Sequence, residues 1–172
     1  MVKNRLALCV MAATLCSAGP AMAGNGTDLM KFIPAETQLV MVFDIADARD
    51  SALLQKGWTS LMAAKPDAQA KLTEIGLDPL RDLDTVLFAG SPKGDDFEDM
   101  ANMVIIVEGR IPKDKLATVP GTKASKYGGT TIWTKEDTEV ALIGDRLFFT
   151  KAGKMKAAID LAQGKGKGKG AN

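Results

Sequence analysis

The chain contains no histidine, and its two cysteines, Cys9 and Cys16, both lie within the first 23 residues. A protein without imidazole has no Ser-His or Cys-His catalytic pair and no histidine ligand for zinc. No cysteine follows residue 16, so disulfides, c-type haem attachment and thiol chemistry are excluded from the rest of the chain. No serine after residue 23 lies in a G-x-S-x-G or S-x-x-K setting, which argues against a serine hydrolase.

The chain also has little excess charge. Without the first 23 residues, which carry Lys3 and Arg5, it has 20 basic and 21 acidic residues, a net charge of about −1. No global field therefore favours nucleic acid or an anionic membrane. The longest apolar run after residue 23 is short, at 103–107, so we expect no transmembrane span there.

The first 23 residues have the order of a secretory signal peptide. Lys3 and Arg5 precede an apolar stretch at 6–15, and the segment closes with Ala21-Met22-Ala23. A basic start, a short apolar core and an A-x-A cleavage site are typical of export to the periplasm or the outside of the cell. We expect cleavage after Ala23, then a flexible lead at 24–34, a single domain at 35–163 and a disordered Gly/Lys tail at 164–172.

Hydrophobic periodicity in 35–163 predicts an α+β domain. Continuous apolar runs such as QLVMVFDI and MVIIV are typical of strands covered on both faces. The element order predicts a largely antiparallel sheet with helices packed on one face, a split β-α-β-like core and a C-terminal β-meander. The predicted strands are 38–45, 85–90, 103–107, 123–127, 130–134, 138–143 and 146–150. The predicted helices are about 51–64, 67–75, 112–116 and 152–162, and a polar loop is expected at 91–102.

Two glycine-containing turns and one helix stripe support this prediction. Gly128-Gly129 and Gly144-Asp145 separate apolar or alternating runs, as in tight hairpins whose turns need positive φ. In the first long helix, apolar residues recur at helical spacing and predict a buried stripe. These residues are Leu54, Trp58, Leu61 and Met62.

The segments GLDPLRDLDTVLFAG at 76–90, YGGTTIW and ALIGDRLFFT carry a resemblance. They resemble a loosely defined family of uncharacterised bacterial exported proteins in which a GxDPxxDLD turn precedes an apolar strand and two glycine hairpins follow. The resemblance covers about residues 32–164. It implies a shared fold and no particular activity.

The acidic turn of this motif contains the chain's best candidates for carboxylate chemistry. Asp78, Asp82 and Asp84 lie close together around Arg81. Two carboxylates in a cleft can divide acid and base roles, as in glycosidases. Aspartates in turns more often bind nearby backbone donors, so we interpret these residues as turn builders, together with Gly76 and Pro79.

A second acidic segment, KGDDFED, suggests a metal site. Asp95, Asp96, Glu98 and Asp99 supply the hard oxygen ligands that calcium prefers, although the spacing is not that of an EF-hand. A solvated acidic loop is the favoured interpretation, and calcium binding is the alternative.

The remaining binding candidates are one aromatic residue and three lysines. Trp133 lies on the predicted meander, where it either meets a ligand or pairs across strands. Lys165, Lys167 and Lys169 alternate with glycine, and such a tail has weak nonspecific attraction for anionic surfaces. It does not match a phosphate-binding P-loop, because a helix precedes it and no Ser or Thr follows.

These observations favour an exported non-enzymatic domain that binds a protein or ligand and needs no cofactor. One alternative is a small carboxylate-based or calcium-dependent hydrolase. Another is a repeat unit of an envelope or surface assembly, in which exposed strand edges pair between copies.

Overall fold

In the computed structural model of the chain, the described residues are 26–64, 66, 70, 73, 76–93, 96–117, 119–166, 168 and 169. For residues 26, 27, 92, 93 and 96–102 the description extends to the backbone alone. The predicted signal peptide at 1–23 and most of the predicted helix at 67–75 lie outside the described residues. Asp95 and Lys167 lie outside them as well.

The centre of the fold is a seven-stranded sheet in which every described pairing is antiparallel. Its strand order is β1-β2-β3-β7-β6-β5-β4. The strands are β1 (Leu39–Asp44), β2 (Leu83–Lys93), β3 (Asp96–Gly109), β4 (Lys123–Tyr127), β5 (Thr130–Lys135), β6 (Thr138–Ile143) and β7 (Arg146–Lys151). The α+β class and both predicted glycine hairpins are confirmed.

The helices are short, apart from one of 13 residues after β1. They are α1 (Gly26–Leu29), α2 (Ile45–Ala48), α3 (Ala52–Ala64), α4 (Pro79–Asp82), α5 (Lys113–Leu116) and α6 (Met155–Ala162), and a 3₁₀ turn (Met30–Phe32) follows α1. Of the predicted apolar stripe of α3, Met62 is buried and the other three residues are half-buried. The exposed residues of α3 lie between them.

Strand direction explains how the meander is inserted. Four antiparallel pairings separate β3 from β4, so these two strands run in the same direction, with β7, β6 and β5 between them. The connection through α5 is thus a β-α-β crossover split by the meander. The first half differs, because β1 and β2 are antiparallel neighbours despite the helices between them.

The two faces of the sheet are covered to different extents. On one face, which we call the helix-covered face, apolar side chains pack under α1, the 3₁₀ turn and α6 and form the main core. Leu87, Ile106 and Phe148 are fully buried there. On the opposite face, Leu116 of α5 packs against a second cluster with Leu83 and Val107, so this short helix lies on the other side of the sheet from α1, the 3₁₀ turn and α6.

The predicted polar loop at 91–102 was wrong. β2 continues to Lys93 and β3 begins at Asp96, with Ser91 opposite Ala101 and Lys93 opposite Asp96. The sequence there is polar, but antiparallel pairing satisfies its backbone donors and acceptors whatever the side chains are. The result is one long hairpin with irregular register near its end.

The expected flexible lead and disordered tail were also wrong where the structure describes them. Leu29 and Ile33 of the lead are fully buried in the main core. In the tail, Gly168 forms an antiparallel bridge with Pro34, and the Lys169 backbone N–H donates to the Ile33 carbonyl at 2.9 Å. The two ends of the domain therefore hold each other in place.

We predict that Gly168→Ala destabilises the domain by about 1–2 kcal/mol, limited by the free energy with which the tail docks. A Cβ at residue 168 would lie 1.9 Å from the Lys31 carbonyl oxygen, so backbone would have to move. Thermal and urea unfolding measure the effect.

Gly166→Ala is the matched control, since a Cβ there meets only the flexible Leu161 side chain, at 3.0 Å. If both variants unfold with the midpoint of the unchanged chain, the tail does not pack as described.

Candidate functional site

The acidic turn before β2 is a structural unit built from its own backbone. Asp78 is the N-cap of α4, and its side chain accepts a hydrogen bond from the Leu80 N–H at 3.2 Å. Pro79 occupies the first helical turn, where no backbone donor is needed. The Asp78 N–H in turn donates to Asp82 Oδ2 at 2.9 Å. The turn-building role predicted for these aspartates agrees with this geometry.

Asp82 is the buried charge at the centre of this unit, with 7% of its surface exposed. The Arg81 guanidinium donates to both carboxylate oxygens, at 2.8 and 2.9 Å. This hydrogen-bonded contact, the bond from the Asp78 backbone and the nearby Arg110 charge outweigh desolvation and hold the pKa of Asp82 at about 2. The carboxylate is ionised at neutral pH and acts as an anchor.

The same turn contacts the end of β3. The Arg110 N–H donates to the Asp82 carbonyl at 2.6 Å, and the Arg110 guanidinium donates to the Arg81 carbonyl at 2.7 Å. Gly109 is required at this approach, because a Cβ there would lie 2.2 Å from the Asp82 carbonyl oxygen. Asp84, which was also predicted to build the turn, lies instead in β2 and forms an ion pair with Arg49 at 3.0 Å, because its strand position directs the carboxylate to a distant partner rather than to the backbone of the turn.

An acidic cleft of about 280 Å³ opens beside the turn, at the end of the sheet. It is lined by Asp28, Asp84, Glu108, Gly109, Asp145 and Arg146. Within it, Arg146 binds Glu108 at 2.7 Å and Asp145 at 3.4 Å, and its guanidinium lies 5.2 Å from the Phe32 ring centroid. The carboxylates of β2, β3 and the β6–β7 turn in this cleft therefore each have an arginine partner.

The second surface of interest is the face opposite the helix-covered face. Side chains alternate between the two sides of a strand, so the register defines which residues share this face. One row crosses all seven strands and another crosses five. The rows are Met41, Phe88, Ile105, Phe149, Val140, Trp133 and Ala124, and Phe43, Val86, Val107, Leu147 and Leu142. We call these twelve residues the apolar outer face.

The apolar outer face is covered less completely than the opposite one. All seven residues of the longer row retain exposed surface, whereas Ile106 and Phe148, their immediate neighbours on the helix-covered face, are fully buried. Leu77, Ile111 and Leu116 pack against part of it. Trp133, the aromatic residue predicted as a binding candidate, is half-buried in the longer row between Val140 and Ala124.

The other predicted sites are placed as follows. Asp96, Glu98 and Asp99 belong to β3, and their side chains are not described; among the side chains that are, no group of three metal-ligating residues occurs. Lys165 lies 3.8 Å from Asp160, and Lys169 donates its ammonium to the Thr37 carbonyl. The described tail lysines therefore bind the domain's own residues.

Sequence reasoning missed the partners that shape the cleft, above all Glu108 and Arg146. These residues are 38 positions apart, and each borders an apolar run. Only the β3–β7 pairing brings them together, so no local pattern in the sequence could have identified them.

The fold and surfaces define an α+β domain built on one antiparallel sheet that is apolar on both faces. Among the described residues, no helix is long and apolar enough to cross a membrane. No protein-family model and no curated protein matches the chain.

One solved structure, described as "Structure of crystal form IV of TP0453", is similar with a TM-score of 0.52 and 13% sequence identity. The match covers 78% of this chain and 52% of that one, so the chain spans about half the length of that protein. At this identity the likeness concerns the fold alone.

We predict that Asp82→Asn lowers the free energy of unfolding by about 2 kcal/mol at pH 7. The pKa of Asp82 is below its unfolded value, so its contribution is present above pH ~4 and is lost as the pH falls towards ~2. Urea unfolding at pH 7 and near pH 2.5 measures this.

The stability difference between Asp82→Asn and the unchanged chain should shrink at the lower pH. Asp84→Asn is the control, since the Asp84 side chain is 53% exposed and surface ion pairs contribute little. Equal stabilities of the two variants at pH 7 would contradict a structural role specific to Asp82.

Proposed function

We propose that this chain is an exported, non-catalytic binding module that contacts a protein partner through its apolar outer face. The observation that carries the proposal is the uninterrupted apolar row from Met41 on one edge strand to Ala124 on the other. The signal-peptide pattern of residues 1–23 supports export.

The size and composition of this face suit protein contact. Seven strands spaced about 4.8 Å apart make a surface about 29 Å wide, and six-residue strands make it about 20 Å long. Extended apolar surface on a soluble domain marks a contact site, and aromatic residues within it provide the anchors. Trp133, Phe88 and Phe149 are the aromatic members of the longer row.

Hydrolysis is the competing hypothesis, and the acidic cleft is where it would occur. Acid–base catalysis needs one carboxyl that carries a proton and another that is free to accept one. In the cleft, Asp84 is held by Arg49, while Glu108 and Asp145 are held by Arg146. Each arginine contact engages one oxygen of its carboxylate. Three of the four carboxylates that line the cleft are thus tied to the scaffold, which favours binding over hydrolysis as the role of the domain.

We predict that a photoreactive phenylalanine analogue at residue 124 cross-links to a partner in cells that export the chain, whereas the same analogue at residue 125 does not. Ala124 and Ser125 are exposed neighbours in β4. Ala124 lies opposite Trp133 on the apolar outer face, and Ser125 lies opposite Ile132 on the other side of the sheet. Mass spectrometry of the adducts gives the readout.

The matched pair controls for expression, export and strand accessibility. No adduct at residue 124, or equal adducts at both residues, would refute the apolar outer face as the contact surface.

A further inference from the structure

The two edges of the sheet are protected very differently. At one edge, β4 carries Lys123 and Lys126, both exposed, and edge lysines are a common way to prevent strand pairing with another chain. At the other edge, β1 has the sequence LVMVFD, with no lysine or proline. Among the described residues, no strand pairs with the outer side of β1.

One residue of β1 is also well exposed. Val42, in the middle of the strand, is 44% exposed, although it is a β-branched apolar residue on a sheet. The one charged residue of β1 is Asp44 at its end, where the carboxylate accepts a hydrogen bond from the Asp47 N–H at 3.0 Å and caps α2. This carboxylate is hydrogen-bonded within its own chain, and it lies at the end of β1, so it does not prevent another strand from pairing with the middle of β1.

We propose that β1 pairs with β1 of a second copy of this chain, antiparallel across a two-fold axis at Met41, joining the two sheets edge to edge. The pairing uses the backbone edge of β1, whose Met41 and Phe43 side chains also belong to the apolar outer face. The inference does not rest on the function proposed for that face.

The sequence of β1 is complementary to itself in this register. Residues that face each other in an antiparallel pair project from the same side of the sheet. Their residue numbers must therefore be both odd or both even. With Met41 opposite Met41, Val40 faces Val42 and Leu39 faces Phe43. Every facing pair along the centre is apolar, and Asp44 meets Gln38 rather than a like charge.

The wider molecule is compatible with such a pair. The formal charge of the chain is +1 at pH 7, so two copies do not repel each other strongly. Pairing would cover Val42 with the second copy's Val40 and would continue the row that ends at Met41. A contact confined to one strand per copy belongs at the small end of protein interfaces, so we expect a dimer that dissociates on dilution.

A single cysteine at residue 41 tests the register directly, in full-length chain with Cys9→Ser and Cys16→Ser. Directly opposite Cα atoms in an antiparallel pair are about 4.5–5.5 Å apart, within the range of a disulfide. Met41→Cys should therefore form a disulfide-linked dimer under mild oxidation. Phe43→Cys is the control, because its two copies would lie about 14 Å apart along the strands.

Sedimentation velocity over a range of concentrations tests the association itself. Val42→Lys should raise the dimer dissociation constant about tenfold or more, because it places a charge opposite a valine twice per dimer. Leu53→Lys should leave the constant unchanged. It introduces the same charge at a residue that is 63% exposed and lies on α3 rather than on β1.

A chain that remains monomeric at every concentration up to about 1 mM would overturn the proposal, as would equal effects of the two lysine substitutions. Cross-linking of Phe43→Cys as efficient as that of Met41→Cys would also overturn it. If Val42→Lys fails to fold, the comparison of Met41→Cys with Phe43→Cys still tests the proposed pairing.

Discussion

An antiparallel sheet with apolar side chains on both sides must bury both faces, and this domain covers one of them more completely than the other. On the helix-covered face, α1, the 3₁₀ turn and α6 pack over the main core, where Phe148 and Ile106 are fully buried. The apolar outer face receives Leu77, Ile111 and Leu116 over part of its area. Apolar surface left in water costs about 25 cal/mol per Å². The proposed function therefore rests on the incomplete covering of the apolar outer face.

The covered face depends on both ends of the domain. Leu29 and Ile33 close the core from the N-terminal side, and the backbone of Gly168 and Lys169 holds that segment from the C-terminal side. At the far end of the sheet, Asp82 fixes the entrance of β2 against the end of β3 through Arg81 and Arg110. These polar contacts thus maintain the scaffold, and the part of the apolar outer face that the domain leaves uncovered is the surface proposed for partner contact.

Much of this fold could be predicted from local sequence patterns. The meander strands, the Gly144-Asp145 hairpin and the stripe of α3 follow from periodicity and turn chemistry, which act over a few residues. Asp78 and Asp82 were predictable as turn builders for the same reason, since their partners are within four residues.

Features that depend on distant residues could not be predicted in this way. The docking of Gly168 on Pro34, the ion pair of Arg146 with Glu108 and the pairing of the polar segment at 91–102 all join residues that only the sheet brings together. The candidate surfaces depend on the same long-range order. Trp133 was identifiable as a binding candidate by its type, but its place in a row across seven strands requires the register of every pairing.

The most direct measurement of the central claim is hydroxyl-radical footprinting of the chain, both purified and in the cells that make it. Met41 and Phe149 of the apolar outer face should be oxidised in the purified chain and protected in cells, and Met155 of the helix-covered core, which has no exposed surface, should be protected in both. Equal oxidation of Met41 and Phe149 in the two settings would contradict the account, because it would show that nothing covers this face where the protein works.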